Sequence, residues 1–295
     1  MQAATLSLAH DGPRLTAAPA LPVAALVAGR PVAEVADLLP RLFNLCSAAQ
    51  GLAARLSLGL PLSGNPQAEI LRDHLLRLCV LLPRAFGQPA PALPADLGQV
   101  ARWGQPGAGV QVAQALLGHG GLPHSPDDLA GPVAALFHHI AATFPPGVAI
   151  CAALPAPPTP LAEGAHENSA AGRQADHPLL RRIEASHGRG PLWRFAGLLA
   201  DLEAAAAGRL PAPRVTDGLA TVPAARGAYA LRIDHVGGVV TGLVRRTPTD
   251  HMLAPRGALE QAMASLPLPL HCLAPAVIAL HDPCIPVTVT EPIHA

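Results

Sequence analysis

The stretch His281-Asp282-Pro283-Cys284-Ile285-Pro286-Val287 follows an apolar run near the end of the chain. A cysteine placed directly after Asp-Pro at this point is poorly explained as a core residue, which favours a partner thiol elsewhere in the chain. The best candidate is Cys46, within the segment 40–50 that reads Pro-Arg-Leu-Phe-Asn-Leu-Cys-Ser-Ala-Ala-Gln. Cys46 is therefore the candidate partner of Cys284, although a cysteine on an apolar helix face is, taken alone, more often a core residue.

The composition is that of a globular protein. With 295 residues, 50% of them apolar, the chain can bury one large core or two smaller ones. Its 20 basic residues, all arginine, balance 20 acidic ones, and only 3% of the chain is aromatic. Because the charges are interspersed and no basic stripe is present, we expect no nucleic-acid partner.

Three observations favour a cytoplasmic protein. The N-terminal residues lack the basic region, apolar core and cleavage site of a secretory signal. No apolar run is long enough to cross a membrane. The number of cysteines is odd, five, and they are spread along the chain, which favours reduced thiols over a disulfide framework.

Hydrophobic periodicity predicts a mainly helical α+β protein that forms a single domain over residues 1–295. Helical patterns cover residues 22–27, 32–39, 41–56, 67–82, 110–117, 132–143, 191–208, 256–265 and 272–280. Alternating patterns predict an edge hairpin within residues 1–20 and a small antiparallel element, 227–232 with 239–246, around Gly237-Gly238. Residues 153–177 have linker composition and are expected to form a flexible surface loop. On the helix predicted at 41–56, Cys46 lies on the buried face.

Common catalytic motifs are absent. The sequence contains no phosphate-binding loop followed by lysine, no Gly-x-Ser-x-Gly and no Cys-x-x-Cys. The neighbouring histidines 119 with 124 and 138 with 139 lack the spacing of zinc hydrolases. The cysteine pair therefore remains the strongest functional signal.

Both cysteines lie in segments that resemble motifs of the catalytic large subunit of nickel-iron hydrogenases. The family's first motif, Arg-x-Cys-Gly-x-Cys-x-x-x-His, is matched here by Arg41-x-Phe43-Asn44-x-Cys46-x-x-x-Gln50. Its second, Asp-Pro-Cys-x-x-Cys-x-x-His, is matched by Asp282-Pro283-Cys284-x-x-Val287-x-x-Thr290. In the family the four thiolates of these motifs hold nickel and iron, so the resemblance implies that Cys46 and Cys284 are metal ligands in a reduced large-subunit-like fold.

The resemblance continues in the middle of the chain. The segment 225–229 resembles the family's Pro-Arg-Gly-x-Leu, whose arginine hydrogen-bonds a cyanide on iron, which implies that role for Arg226. Pro248-Thr249 stands where the family has Pro-Ser/Thr-Thr-Trp-Asn, whose hydroxyl hydrogen-bonds the other cyanide, which implies that role for Thr249. The family aspartate matched by Asp282 lies close to the metals, whereas an Asp-Pro pair also commonly forms a simple turn, and both interpretations stay open.

The departures from the family pattern decide which function is expected. Phe43 and Val287 each stand where the family has a cysteine, and Gln50 and Thr290 stand where it has histidine. Because soft thiolates select the nickel-iron cluster, a chain with two of the four is not expected to hold nickel or to turn over hydrogen. The resemblance therefore implies a non-enzymatic protein.

The pattern is similar to that of the large-subunit-like accessory protein encoded with uptake hydrogenases, a hydrogenase expression/formation protein. That resemblance implies a scaffold or carrier for an iron-dicyanide-carbonyl fragment, held by Cys46 and Cys284 and contacted by Arg226, Thr249 and Asp282. The implied partners are hydrogenase maturation proteins, namely a small cofactor chaperone and an iron-sulfur scaffold, together with the large-subunit precursor.

Two alternatives remain open. The chain could be a metal-free docking module that mimics the large-subunit precursor and binds maturation chaperones. It could also be a thiol-disulfide redox protein, although only Arg41 and His281 lie near either cysteine in sequence to lower a thiol pKa. Whether Cys272, upstream of Cys284, joins the pair is likewise open.

Overall fold

The computed structural model describes residues 3–9, 12–16, 21–43, 45–92, 108–118 and 120–290. The strands are β1 (Ala4–Ala9), β2 (Gly12–Thr16), β3 (Arg214–Thr216), β4 (Leu219–Ala224), β5 (Gly227–Val236), β6 (Val239–Arg246) and β7 (Val287–Thr290). The helices of the first half are α1 (Val23–Val27), α2 (Val32–Leu42), α3 (Ser47–Ser57), α4 (Pro66–Leu76), α5 (Leu82–Ala85), α6 (Ala108–Leu117) and α7 (Ala134–Thr143). Those of the second half are α8 (Ala170–Arg173), α9 (Pro178–His187), α10 (Pro191–Ala206), α11 (Pro248–Met252), α12 (Ala258–Ala264) and α13 (Ala274–His281).

The strands form two small sheets. One has the order β2-β1-β7, in which β1 and β2 form the predicted edge hairpin and β7 lies parallel to β1. The other is an antiparallel meander, β3-β4-β5-β6, and its last two strands are the predicted hairpin, closed by Gly237 and Gly238 at positive φ. The mainly helical α+β prediction is therefore confirmed. Strands β3, β4 and β7 were not predicted, because they are too short to show an alternating pattern or are interrupted by proline.

Two hydrophobic clusters fill the interior. The larger surrounds α10, which is buried on nearly every side and carries the fully buried Trp193 and Phe195. The smaller lies between α2, α3 and the meander, around Leu39 and Leu231. Cys46 belongs to the smaller cluster and Leu280, on α13, to the larger. The predicted site therefore lies where the two clusters meet.

The prediction of one helix over residues 41–56 is wrong. Helix α2 runs on to Leu42 with Pro40 inside it, Phe43 is extended, and α3 begins only at Ser47. Cys46 is thus not on a helix face but at the N-terminal boundary of α3. The apolar spacing spans the break because α2 and α3 bury their apolar faces in the same cluster, so the periodicity alone cannot reveal where the backbone turns.

The helix predicted at 67–82 is confirmed, with one irregularity. Between α4 and α5, residues Arg77–Leu81 form a π-helical turn in which the Leu82 amide donates to the Arg77 carbonyl. Such turns occur frequently at functional sites. Here the turn carries Arg77, whose side chain reaches the carbonyl of Leu280 at 3.2 Å.

Residues 153–177 have little regular structure before α8, as their composition predicts. The end of the segment is nevertheless held firmly, because Arg173 makes hydrogen bonds of 2.8 and 2.6 Å to the fully buried carboxylate of Asp201. Asn168 also pairs with both backbone groups of Ala228. Flexibility of the remainder of this loop stays a prediction. Within the described residues, no helix is both long enough and apolar enough to span a membrane.

Candidate functional site

The fold brings the two predicted ligands together. Cys46 and Cys284 are free thiols that lie close enough for one to hydrogen-bond to the other. The Thr249 hydroxyl accepts the Cys284 amide hydrogen at 2.9 Å, which ties the second motif to the start of α11. A capping box between Thr247 and Asp250 fixes that short helix, so the position of Thr249 is set by local sequence.

Cys46 is held in an unusual backbone conformation. Its φ of 56° lies in the left-handed region, which residues other than glycine rarely adopt. As the residue before α3, Cys46 offers no side-chain cap to the helix. The buried carboxylate of Glu69, on α4, takes that role by accepting the amides of Ala48 and Ala49 at 3.0 and 3.3 Å. A residue distant in sequence thus stabilises the helix start that positions Cys46.

Replacing Glu69 with alanine is therefore expected to lower the free energy of unfolding by about 1–3 kcal/mol, because buried helix-start amides lose their acceptor. Urea unfolding measures the change. Glu34→Ala, which removes an exposed carboxylate from the first turn of α2, is the matched control and should cost less than about 1 kcal/mol. Equal losses in the two variants would contradict the capping role.

Arg226 contacts both halves of the site. It lies in the two-residue turn between β4 and β5, and its guanidinium is 3.7 Å from the Cys46 sulfur and 3.0 Å from the Asp282 backbone oxygen. The next residue, Gly227, has a φ of 142°, and a Cβ there would lie 2.5 Å from the Asn168 carbonyl oxygen. Glycine is thus required beside Arg226, which explains the Arg-Gly pair physically.

Asp282 is both a turn residue and a member of the site. It ends α13 with a φ of 52°, and its carboxylate lies 3.0 Å from Arg226 and 3.4 Å from Arg77. Asp73, on α4, adds a second buried carboxylate 3.6 Å from Arg226. The sequence interpretation missed Asp73 and Arg77, and the only available signal was that charged residues occupy positions on an otherwise buried helix.

The charges around the thiols act on them unequally. The hydrogen bond from its partner thiol and the positive charge of Arg226 lower the pKa of Cys284 to about 7 against the effect of burial. The pKa of Cys46 is raised, first by its hydrogen bond to Cys284 and then by burial. The pair therefore favours a thiolate at Cys284 and a thiol at Cys46.

The positions where the family has other ligands are filled differently here. Arg245 places its guanidinium 4.6 Å from the centre of the Phe43 ring, a cation–π contact. Val287 pairs with Ala4 in the first sheet, and Gln50 donates to the Leu45 carbonyl at 3.1 Å. Cys272 is exposed on the 3-10 turn Leu268–Leu273, so it does not share the buried environment of Cys46.

The burial of His281, next to Asp282, leads us to expect that the free energy of unfolding decreases at acidic pH. Burial, followed by the charge of Arg194, holds its pKa well below the usual value, so the folded protein keeps the ring neutral. Because an unfolded histidine has a pKa of about 6.5, the unfolded chain takes up a proton below that pH and the folded chain does not. The contribution of His281 to the free energy of unfolding is fully present above about pH 6.5, and below that pH it falls by up to about 1.4 kcal/mol per pH unit.

Chemical denaturation between pH 5 and pH 7.5 tests this expectation. His281→Gln should flatten the decline in the free energy of unfolding, whereas the exposed control His138→Gln should leave it unchanged. An unchanged slope in His281→Gln would contradict the assignment.

Comparisons with known proteins agree with the fold and with the sequence resemblance. No family model matches the chain. It is 48% identical over 285 residues to the hydrogenase expression/formation protein HupK of Rhodobacter capsulatus, covering 95% of this chain and 94% of that protein.

Solved structures show the same architecture at low identity. A nickel-iron-selenium hydrogenase from Desulfovibrio vulgaris Hildenborough superposes with a TM-score of 0.60 at 12% identity, over 93% of both chains. An NAD+-reducing nickel-iron hydrogenase gives 0.55 at 14% identity, over 93% of this chain and 92% of its own. The predicted large-subunit-like fold is therefore confirmed.

Proposed function

Because the chain belongs to the family of hydrogenase expression/formation proteins represented by HupK, we propose that it is a maturation factor of nickel-iron hydrogenase. Its cargo is an iron-dicyanide-carbonyl fragment, carried between Cys46 and Cys284. The contact between these two thiols, contributed by opposite ends of the chain, is the observation that carries the proposal.

The donor set fits a soft, low-valent iron group. Thiolates are the protein ligands that favour such iron centres, and the two thiols lie within hydrogen-bonding reach of each other beside the guanidinium of Arg226. Arg226 supplies N–H donors next to the Cys46 sulfur, and charge-assisted bonds from a guanidinium suit an anionic ligand such as cyanide. The Thr249 hydroxyl accepts the Cys284 amide hydrogen, and it also hydrogen-bonds the Cys284 side chain and so helps to lower the pKa of that thiol. Each sulfur therefore has a hydrogen-bond donor beside it.

The same donor set disfavours a permanent metal centre. The places of the other two family cysteines hold Phe43, under Arg245, and Val287, within a sheet. A site with two sulfurs binds its cargo less tightly than one with four, which suits release to a recipient. We infer that the protein binds no nickel and is not an enzyme.

The carrier role implies particular partners and a particular compartment. A carrier of this fragment receives it from the iron-sulfur scaffold and small chaperone of hydrogenase maturation and passes it towards the large-subunit precursor. Both thiols must stay reduced for this role, which places the protein in the cytoplasm.

Infrared spectroscopy tests the proposal. Protein purified without oxygen from cells that express the maturation proteins should show cyanide and carbonyl stretching bands, together with iron by elemental analysis. A preparation that supports hydrogenase maturation yet shows neither bands nor iron would overturn the carrier role and would favour a metal-free docking module.

A second candidate function has one observation in its favour. Only Arg41 and His281 lie near either cysteine in sequence, which provides little reason for a lowered thiol pKa, but the fold adds Arg226 beside the pair. Two adjacent thiols with one thiolate suit reversible disulfide formation. Titration of free thiols before and after mild oxidation should show the loss of two per chain if this function operates. An unchanged count would exclude it.

A further inference from the structure

A pair of histidines outside the cysteine site has the features of a metal site. His251 lies on α11, and His166 lies on the loop that precedes α8. Their ring centroids are 5.3 Å apart with an interplanar angle of 81°. No motif in the sequence links the two, which come together only in the fold.

Backbone carbonyls fix the tautomer of each ring. The Nδ1 of His251 lies 3.0 Å from the Gly164 carbonyl oxygen, and the Nε2 of His166 lies 3.1 Å from the Glu163 carbonyl oxygen. A carbonyl only accepts, so the nitrogen facing it must carry the hydrogen. In the neutral rings, the other nitrogens, Nε2 of His251 and Nδ1 of His166, therefore present bare lone pairs.

Both of these lone-pair nitrogens are buried, and neither has a hydrogen-bond partner among the residues that the structure describes. The His251 residue as a whole is only 1% exposed. Leaving a buried acceptor unpaired is energetically unfavourable, and here two such acceptors belong to rings in contact. A bound cation would satisfy both at once.

The arrangement matches the ordinary construction of a histidine metal site. Metal-binding histidines usually donate the other ring N–H to a backbone carbonyl or carboxylate, which orients the ring. Two imidazoles on one metal, at metal–nitrogen distances of about 2.0–2.1 Å, place their ring centroids roughly 5 Å apart. Burial and the neighbouring His166 also lower the pKa of His251, which keeps its lone pair available near neutral pH.

We propose that His166 and His251 form a binding site for a divalent transition-metal ion that prefers imidazole, such as Zn²⁺, Fe²⁺ or Ni²⁺. In the described part of the chain, no cluster of three or more histidine, cysteine or acidic side chains could hold a metal. The two imidazoles are therefore the proposed side-chain ligands of the ion. His251 is two residues from Thr249, and both lie on α11.

The chain supplies a matched control pair. His124 and His177 also form an edge-to-face contact, with centroids 6.1 Å apart. In that pair the Nδ1 of His177 already accepts the Leu179 amide hydrogen at 3.2 Å. His124 therefore makes the same kind of ring contact, but the lone pair of its partner His177 is already occupied by a backbone N–H and cannot bind a metal.

Zn²⁺ binding tests the site in full-length protein in which Cys46, Cys272 and Cys284 are replaced by serine, so that the result does not depend on the proposed carrier function. Competition with a chromophoric chelator should show one Zn²⁺ per chain. His166→Phe and His251→Phe should each weaken binding by at least about tenfold, and His124→Phe should not.

A second measurement avoids disturbing the buried ring. With Cu²⁺ as the probe in the same serine background, pulsed electron paramagnetic resonance should detect two imidazole nitrogens coupled to the metal. Absence of stoichiometric Zn²⁺ binding, or an equal loss in His124→Phe, or a Cu²⁺ spectrum without two imidazoles, would overturn the proposal.

Discussion

Replacing either Cys46 or Cys284 with serine is expected to abolish the infrared bands of cyanide and carbonyl in protein purified without oxygen, together with the bound iron. Each substitution removes one of the two sulfurs that meet in the fold. A serine hydroxyl is a hard, protonated oxygen and does not replace a thiolate on soft iron. Hydrogenase maturation in cells that carry either variant should fall to the level of cells that lack the protein.

Two cysteine controls accompany this experiment. Cys272→Ser changes the exposed thiol on the 3-10 turn, and Cys79→Ser changes a buried thiol in the larger hydrophobic cluster. Both should keep the bands, although Cys79→Ser is expected to lower stability because it buries a hydroxyl in an apolar environment. Bands that survive in both Cys46→Ser and Cys284→Ser would refute the assignment of the ligands.

Replacing Asp201 with asparagine is expected to lower the free energy of unfolding by about 3–5 kcal/mol, because it leaves Arg173 without its buried counter-charge. Asp201 is fully buried and also hydrogen-bonds His74 at 2.7 Å. Arg173 donates in addition to the carbonyls of Ala224 and Gly227, which flank the turn that holds Arg226. The loss of stability should therefore be accompanied by weaker binding of the iron fragment.

The stabilisation that the Asp201 carboxylate provides depends on pH. Despite burial, the charge and hydrogen bonds of Arg173 hold the pKa of Asp201 well below its ordinary value. A depressed pKa contributes stability that is present above the ordinary pKa of about 3.9 and is lost as the pH falls through the folded value. The difference in the free energy of unfolding between wild type and Asp201→Asn should thus be largest at neutral pH and should decrease only in strong acid.

A surface ion pair serves as the control for Asp201. Asp176 pairs with Arg181 at 2.6 Å, but its side chain is 96% exposed. Asp176→Asn should change the free energy of unfolding by less than about 1 kcal/mol, as is usual for solvated pairs. Guanidinium chloride unfolding of the two variants measures both values, and a loss at Asp201 no larger than that at Asp176 would contradict the role of the buried network.

Most of the helices follow from the sequence because their apolar spacing reflects the face that each one buries. Helix α10 and the hairpin of β5 with β6 could be predicted in this way. The break before α3 could not, since the periodicity runs through it. Cys46 adopts its left-handed conformation where the carboxylate of Glu69, on another helix, caps the first turn of α3.

The sequence by itself determined which groups could form the site: one thiol in each motif, the arginine of the Arg-Gly pair, the hydroxyl of Thr249 and the carboxylate of Asp282. The resemblance of short segments to the large-subunit motifs identified these groups, and such segments can be read locally in the sequence. Only the tertiary structure decided that the thiols touch, that Asp73 and Arg77 join them, and that His166 meets His251. These contacts join residues far apart in the chain, and packing of the two hydrophobic clusters, which leaves no local pattern, determines which of them meet.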